Sequence, residues 1–415
     1  MRPKALSAAV VTEGAAPPLD VVPRRPGFAL FAYGFRPFFL TAGLWALVGV
    51  GLWVAALAGL DLPEGPLPLA RWHGHEMLAG FVAAALVGFL LTAVPNWTGK
   101  RGYSGWPLVL LWGLFLLGRL VLLPGSPVPV GVAAPLALLA LPAALLLIAP
   151  ALVKAGKARL LGPPLLVFAA WVGDLLMLGD AAGWWDAATW RAGQLLTANV
   201  ALLLVGLIGG RIVPSFTLNA LRKAGRPAEP RPLPHVDAAA VAALAAVVAV
   251  DLAAPDGAPA GLVAAAAAVL VALRLSRWHG LRTLDQPILW VLHLAYAFVP
   301  LALATKAVFL LTGAPWAANW LHLQGAGALA LMILAVMTRA TLGHTGRDLV
   351  AAPATVAAYA LLALAALARA FGPALLGQGL APLALAGTLW VAAFALFLAV
   401  HAPMLLAARP DGKPG

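Results

Sequence analysis

Long runs of apolar positions dominate this chain, broken at short intervals by clusters of Arg, Lys, Pro and Gly. From Pro37 to Leu60 no charged residue occurs for 24 positions. About 20 apolar residues suffice to cross the hydrocarbon core of a bilayer. Further runs of spanning length lie near 73–95, 105–123, 128–150, 161–180, 191–213, 236–253, 258–276, 287–312, 318–341, 353–372 and 380–406. The pattern predicts an all-α polytopic membrane protein with about twelve transmembrane helices. The seventh and eighth runs (237–250 and 258–273) are Ala-rich and carry the weakest signal. Residues 1–35 lack helical periodicity and read as an N-terminal tail. Residues 36–408 read as a single membrane domain, and 409–415 as a C-terminal tail.

Composition agrees with the pattern. The 415 residues are 63% hydrophobic and 10% charged, against about 25% charged in soluble domains. The absence of Cys excludes disulfides, Fe–S clusters and thiolate ligands, so any metal must use His, Met, carboxylate or backbone oxygen. The net charge of +12 changes meaning once the loops are compared. Lys and Arg gather in the N-terminal tail (Arg2, Lys4, Arg24, Arg25, Arg36) and in alternate loops: Lys100 and Arg101; Lys154, Lys157 and Arg159; Arg222, Lys223, Arg226 and Arg231; Arg274, Arg277 and Arg282; Arg347. Arg409 and Lys413 follow at the C-terminus. The opposite loops carry mainly Asp61, Glu64, Asp180, Asp186, Asp251 and Asp256. Positive charge marks the cytoplasmic side. Both termini are therefore expected in the cytoplasm, and the basic balance is an orientation signal with no nucleic-acid partner implied. The bilayer itself is the expected surrounding.

The chain also resembles itself. Asn96-Trp97-Thr98-Gly99-Lys100 closes the second run and Gly343-His344-Thr345-Gly346-Arg347 the tenth, an offset of 247 that places His75 on His322 and Gly80 on Gly327. Val213-Pro214-Ser215-Phe216-Thr217 aligns with Val94-Pro95-Asn96-Trp97-Thr98 at an offset of 119, which places His75 on Gln194. Arg211 and Arg339 share one repeat position. Pro37, Pro163 or Pro164, and Pro287 open the first helix of each unit. Three four-helix units are expected, at about 36–150, 160–276 and 285–406; chance similarity among Leu/Ala-rich helices is the competing reading.

Ionisable groups within spanning segments are costly, so each is a functional candidate. His73, His75 and Glu76 open the second helix, and His322 opens the tenth. By the repeat, His75 and His322 lie at one depth, and two imidazoles from separate helices can grip opposite faces of one haem iron. The plainer alternative is a pair of interfacial histidines bonded to carbonyls. His73 and His75 are about 200° apart round a helix and cannot share a small site. His73 and Met77, at i and i+4, share a face and can contribute to copper binding, or form an interfacial His above a core Met. His293 and His344 form a second group near the cytoplasmic side, with Arg36, Arg211 and Arg339 as partners for haem carboxylates or as snorkelling interfacial charges. His322 and His344 are 22 residues apart, about 33 Å along a helix, and cannot hold the same haem. His235 and His279 read as loop residues, and His401 stands without an evident partner. No acid/base carboxylate pair is evident, and the Gly206-to-Gly210 stretch lies inside a span, where small residues serve packing.

Five segments together resemble the NnrS family: Tyr33-Gly34-Phe35-Arg36-Pro37-Phe38-Phe39, Trp72-His73-Gly74-His75-Glu76-Met77, Pro95-Asn96-Trp97-Thr98-Gly99, Leu292-His293-Leu294-Ala295-Tyr296, and Thr338-Arg339-Ala340-Thr341-Leu342-Gly343-His344-Thr345-Gly346-Arg347. The resemblance covers about residues 24 to 410. It implies a protein of the bacterial inner membrane that contains haem, expected as b-type, and copper, and that is linked to denitrification and resistance to nitric oxide. It extends distantly to haem–copper oxidases, whose twelve helices form three four-helix arcs with a low-spin haem between histidines of helices two and ten. This chain departs from them at helices six and seven, where His235 stands alone and no histidine trio exists, so oxygen reduction is not expected. The resulting expectation is a redox protein acting on nitric oxide or iron–nitrosyl species, supplied with electrons by a quinol or a cytochrome. The alternatives are a transporter of haem, metal or a small anion, and a haem-based sensor without turnover.

Overall fold

The computed structural model describes residues 28–229 and 233–413. Twelve apolar helices follow in order: α1 (Phe35–Leu57), α2 (Leu69–Thr98), α3 (Trp106–Val121), α4 (Val130–Lys154), α5 (Gly162–Ala181), α6 (Trp190–Lys223), α7 (Pro234–Ala253), α8 (Ala258–Ser276), α9 (Pro287–Thr312), α10 (Pro315–His344), α11 (Pro353–Leu375) and α12 (Leu380–Leu406). The protein is an all-α polytopic membrane protein, as its hydropathy predicts. Eleven of the helices are long enough to span; α3, with 16 residues, is shorter. At 1.5 Å per residue it covers about 24 Å, just under the hydrocarbon thickness. Among the described residues there is no strand beyond a single bridge between Phe28 and Ala407.

Local sequence explains where the helices begin and bend. Seven of them, α3, α5, α7, α8, α9, α10 and α11, have Pro at the first or second position, where its missing N–H costs nothing. Gly99 and Gly313 end α2 and α9 in the left-handed conformation, at φ 67° and 69°, which glycine adopts without steric penalty. Within α4 the α-helical winding is interrupted at Leu138 and Leu139. Pro142 lacks the N–H that would bond the Leu138 carbonyl, and the Trp171 indole of α5 donates to that oxygen instead at 3.0 Å.

Burial sorts the helices into an inner and an outer set. The apolar windows of α2, α6 and α10 are 83%, 67% and 67% buried, against 22–50% for the other spans. Each inner helix winds briefly into π-helix, at Glu76–Val82, Val205–Gly209 and Leu323–Ala330. The segments of α2 and α10 begin 247 residues apart, the offset of the sequence repeat. That of α6 begins at Val205, later than Leu195 where the offset of 119 would put it. Around this centre α5 packs on α6, α7 on α8, α8 on α9, and α11 on α12; α12 returns to α1 and closes the ring. Leu110, Leu146, Leu165, Val269 and Leu364 point outward, as a lipid solvent requires.

The two ends of the described chain meet at one side of the bundle. Ala29 N–H donates to the Leu406 carbonyl at 2.7 Å, and Gly105 N–H, between α2 and α3, donates to Phe31 at 3.1 Å. This is the arrangement an even number of spans demands. Most of the expected tail, with Arg2, Lys4, Arg24 and Arg25, lies outside the described residues, as does Arg231.

Candidate functional site

Three polar knots interrupt the apolar interior, each where several helices meet. The first joins α1, α2, α3 and α5. His75 stands with Nδ1 2.8 Å from Glu76 Oε1 and Nε2 2.6 Å from Asp174 Oδ1. Arg119 donates to Glu76 Oε1 at 2.9 Å and the Trp45 indole to Glu76 Oε2 at 2.6 Å. All four charge-bearing groups are buried. An imidazole between two ionised carboxylates satisfies both only as imidazolium, donating from each nitrogen. The knot is then neutral: His75 and Arg119 against Glu76 and Asp174.

The second knot joins α6, α7, α9 and α10. Lys306 pairs with Asp251, and the ammonium lies 4.8 Å from the centre of the Trp320 ring. Asn199 donates to Asp251 at 2.7 Å, and Gln324 donates to the Asn199 carbonyl oxygen at 3.1 Å. These four side chains are at most 2% exposed. One cation meets one anion, and two amides extend the network.

The third lies where α10 and α11 close on α1 and α2. Arg369 donates to Asn319 Oδ1 at 2.9 Å. His322 stands one turn further on, its backbone N–H donating to the Asn319 carbonyl at 2.9 Å. The His73 ring stacks on Trp53 at 4.9 Å and 11°, and its Nδ1 is buried without a hydrogen-bond partner. No carboxylate enters this group among the described residues.

The structure therefore does not bring His75 and His322 together as the sequence repeat suggests. Both His75 nitrogens are held by carboxylates on the α3–α5 side. His73 stacks instead on Trp53 of α1. The acid pair that sequence reading overlooked, Glu76 and Asp174, shares the His75 ring. Asp251, read as a loop residue, is buried in α7. Asp180 belongs to the last turn of α5, where it accepts from Thr189 N–H at 2.7 Å and Trp190 N–H at 3.1 Å at the start of α6 and pairs with Arg71.

The remaining candidates are dispersed. Met77 packs its methyl against Gly49 of α1. His293 in α9 has Nε2 2.8 Å from Thr217 Oγ1 and a buried Nδ1 without a partner. His344 lies between the rings of Tyr33 and Phe35, and no contact joins it to His293 among the described residues. The three arginines do separate work. Arg36 donates to the carbonyls of Met404, Leu405 and Ala407 and caps α12. Arg339 lies 4.1 Å over the Phe216 ring. Arg211 is exposed. His401 bonds its own helix at the Phe397 carbonyl, 3.1 Å away. Among the described residues, no three or more His, Asp or Glu side chains gather to hold a metal ion.

An apolar cavity of about 70 Å³ lies at the centre of the inner helices, lined by Phe39, Val82, Val205, Gly209, Leu329 and Met332 among others. It has roughly half the volume of an engineered 150 Å³ cavity that stays dry and takes xenon or benzene. It suits a diatomic gas and is too small for a porphyrin.

One signal would have found the missed residues. Lys306 and Asp174 each sit far inside an apolar run, where the cost of burying charge marks them as paired or functional. Arg369 lies in the eleventh run in the same way. Their partners could not be named without knowing which helices adjoin. A model of the NnrS family matches residues 29–409. No curated protein matches the chain. With the match spanning nearly all twelve helices, the chain belongs to the NnrS family, a bacterial membrane family linked to nitric oxide.

Proposed function

We propose that the protein is a haem-binding membrane redox protein of nitric oxide metabolism or nitrosative-stress resistance, set in the bacterial inner membrane with both termini cytoplasmic. The observation that carries this reading is the third knot. His73 of α2 and His322 of α10 carry no hydrogen bond to a carboxylate among the described residues, and His73 Nδ1 is buried without a partner. A buried polar atom left unbonded costs about 1–3 kcal/mol, and neutral imidazole is the commonest transition-metal ligand. This donor set fits haem iron. That of the first knot does not, because both His75 nitrogens are already engaged.

When bound, haem would supply one-electron chemistry. The residues of the chain bind and orient. Trp53 fixes the plane of the His73 ring by stacking, and Asn319 fixes the Arg369 guanidinium. The central cavity offers an apolar gas a dry resting place between the same inner helices.

Optical spectra of the purified protein, oxidised and reduced, test the reading. A Soret band is expected in the wild type, with one low-spin signal lost in both His73→Ala and His322→Ala and kept in His75→Ala. Absence of a Soret band in either redox state ends the haem reading. Loss in His75→Ala alone would return the site to the first knot.

A further inference from the structure

No Asp or Glu occurs between Glu76 and Asp174. That stretch includes two loops on the side of the bundle where the chain ends meet, α2–α3 and α4–α5. Together they carry Lys100, Arg101, Lys154, Lys157 and Arg159, exposed or half-buried. Elsewhere on that side acids answer the cations: Asp285 pairs with Arg226, Asp237 with Arg274 and Asp411 with Arg409. Among the described residues, no side-chain hydrogen bond or ion pair answers any of the five.

The two loops lie side by side on a fixed frame. Tyr103 of the first donates to the Leu147 carbonyl of α4 at 3.0 Å. Lys154 follows Leu147 by seven residues, about 10 Å along the helix. The α2–α3 loop is also tied to the N-terminal segment, where Gly105 N–H donates to Phe31. A Cβ at Gly102 would lie 2.3 Å from the Tyr33 ring, so the backbone there is pressed against that ring. In the second loop Gly156 is left-handed, at φ 66°, and Lys157 N–H returns to the Leu152 carbonyl at 2.9 Å. The chain therefore reverses just past the end of α4. Toward the middle of the bundle, Leu110 of α3, Leu146 and Val153 of α4, and Leu165 of α5 turn apolar side chains outward. Trp106, at the head of α3, is 71% exposed, as suits an aromatic ring at the membrane–water boundary.

Five cations without acids above an apolar wall match an amphiphile with an anionic head. Small counterions from water can screen the charges, but they cannot cover the wall. We infer that the α2–α3 and α4–α5 loops form a docking surface for an anionic phospholipid. Its headgroup phosphate lies among Lys100, Arg101, Lys154, Lys157 and Arg159, and its acyl chains run along α3 and α4. Lys and Arg near the membrane surface attract anionic lipid within about a Debye length, ~10 Å at 0.1 M salt. The site uses none of the three knots, so it stands or falls apart from the haem reading.

The test places the full-length protein in mixed micelles with equal amounts of phosphatidylglycerol and phosphatidylcholine of identical acyl chains. Lipid retained per chain after washing is counted by mass spectrometry. The wild type is expected to retain phosphatidylglycerol several-fold over phosphatidylcholine. That preference is expected to fall several-fold between about 50 and 500 mM NaCl, as screening shortens the reach of the charges. Lys100→Gln with Arg101→Gln is expected to lose most of it. Arg222→Gln with Lys223→Gln removes the same charge from the α6–α7 loop, where Glu229 and Asp285 lie nearby in the chain or paired to it, and is expected to keep it. Lys154→Gln with Lys157→Gln repeats the loss from the second loop and decides the matter where the first pair does not fold. Equal retention of the two lipids by the wild type, or a preference insensitive to salt, overturns the inference. Equal losses from the α2–α3 and α6–α7 variants overturn it too, because net charge and not this surface would then attract the lipid.

Discussion

The first and second knots hold the same place in successive helix groups and carry opposite signs. On the third helix of the group stands Arg119 in one and Asp251 in the other. On the helix that answers stand Asp174 and Lys306 respectively. Both knots balance their charges, but differently: Arg119 pairs with Glu76 and Asp174 with His75, whereas Asp251 pairs directly with Lys306. That difference separates what the knots can do. Lys306 and Asp251 are bonded with amides whose protons are fixed. His75 shares its two nitrogens between two acids, and an imidazole gives up a proton far more readily than the ammonium of Lys306. The first knot can therefore adjust to the loss of one charge, and the second has less freedom.

The largest effect that bears on this comparison comes from the second knot. Lys306→Met leaves Asp251 buried without a counter-charge, and removing one partner of a buried pair costs about 3–5 kcal/mol. Adding Asp251→Asn removes the orphaned charge, and the double variant is expected to recover to within about 1–2 kcal/mol of the wild type. Reversible unfolding in mixed detergent measures both. Equal losses in the single and double variants would mean that packing around the lysine stem, and not charge balance, holds the second interface together.

The first knot should respond less. Asp174→Asn removes one acid from His75, and the ring can then release a proton and keep one hydrogen bond to Glu76, which Arg119 still balances. The expected cost is about 1–2 kcal/mol, clearly below that of Lys306→Met. A loss as large as that of the lysine variant would show that the imidazole cannot relax, and that the two knots differ in sign alone.

This contrast also marks how far the sequence could be read. Helix number and the family follow from apolar run lengths and from five short motifs, because lipid permits few backbone solutions, while α6 runs on to Lys223, ten residues past the run read at 191–213. Knowing which face of α2 meets α10 requires the packing, and there the repeat misled. An offset of 247 aligns His75 with His322 correctly as positions and even aligns their π segments. Equivalent positions in a ring of repeats face equivalent neighbours, however, and so do not face each other. His75 looks toward Asp174 of α5 and the Glu76–Arg119 pair, and no contact joins it to His322 among the described residues. The charge pairs were hidden for a related reason. Asp174, Asp251 and Lys306 find partners on helices distant in sequence, and Asp251, seven positions after Leu244 in an Ala-rich run, resembles a loop acid until its burial is seen.

The smallest effect belongs to an ion pair of the same kind outside the lipid-spanning helices. Arg409 grips Asp411 with two nitrogens, at 2.9 and 2.6 Å, while also donating to the His344 carbonyl at 2.9 Å. The hydrogen bond from Arg409, with help from Lys413 N–H, holds the Asp411 carboxyl well below the usual carboxylate range. A carboxyl whose folded value is depressed stabilises the fold above its unfolded value, about 3.9 for Asp, and loses that contribution as pH falls below it toward the folded value. Asp411 is water-exposed, so screening leaves the pair little to contribute. Asp411→Asn is expected to leave the unfolding midpoint at pH 7 unchanged within error, in contrast to either buried variant. Carboxyl ¹³C NMR of the protein in detergent is expected to show Asp411 titrating below free aspartate, and moving back toward it in Arg409→Gln. An ordinary midpoint in the wild type would show that the fork is not closed in solution. A midpoint loss at pH 7 rivalling that of Asp174→Asn would show that tying the C-terminus to the end of α10 matters as much as neutrality inside the bundle.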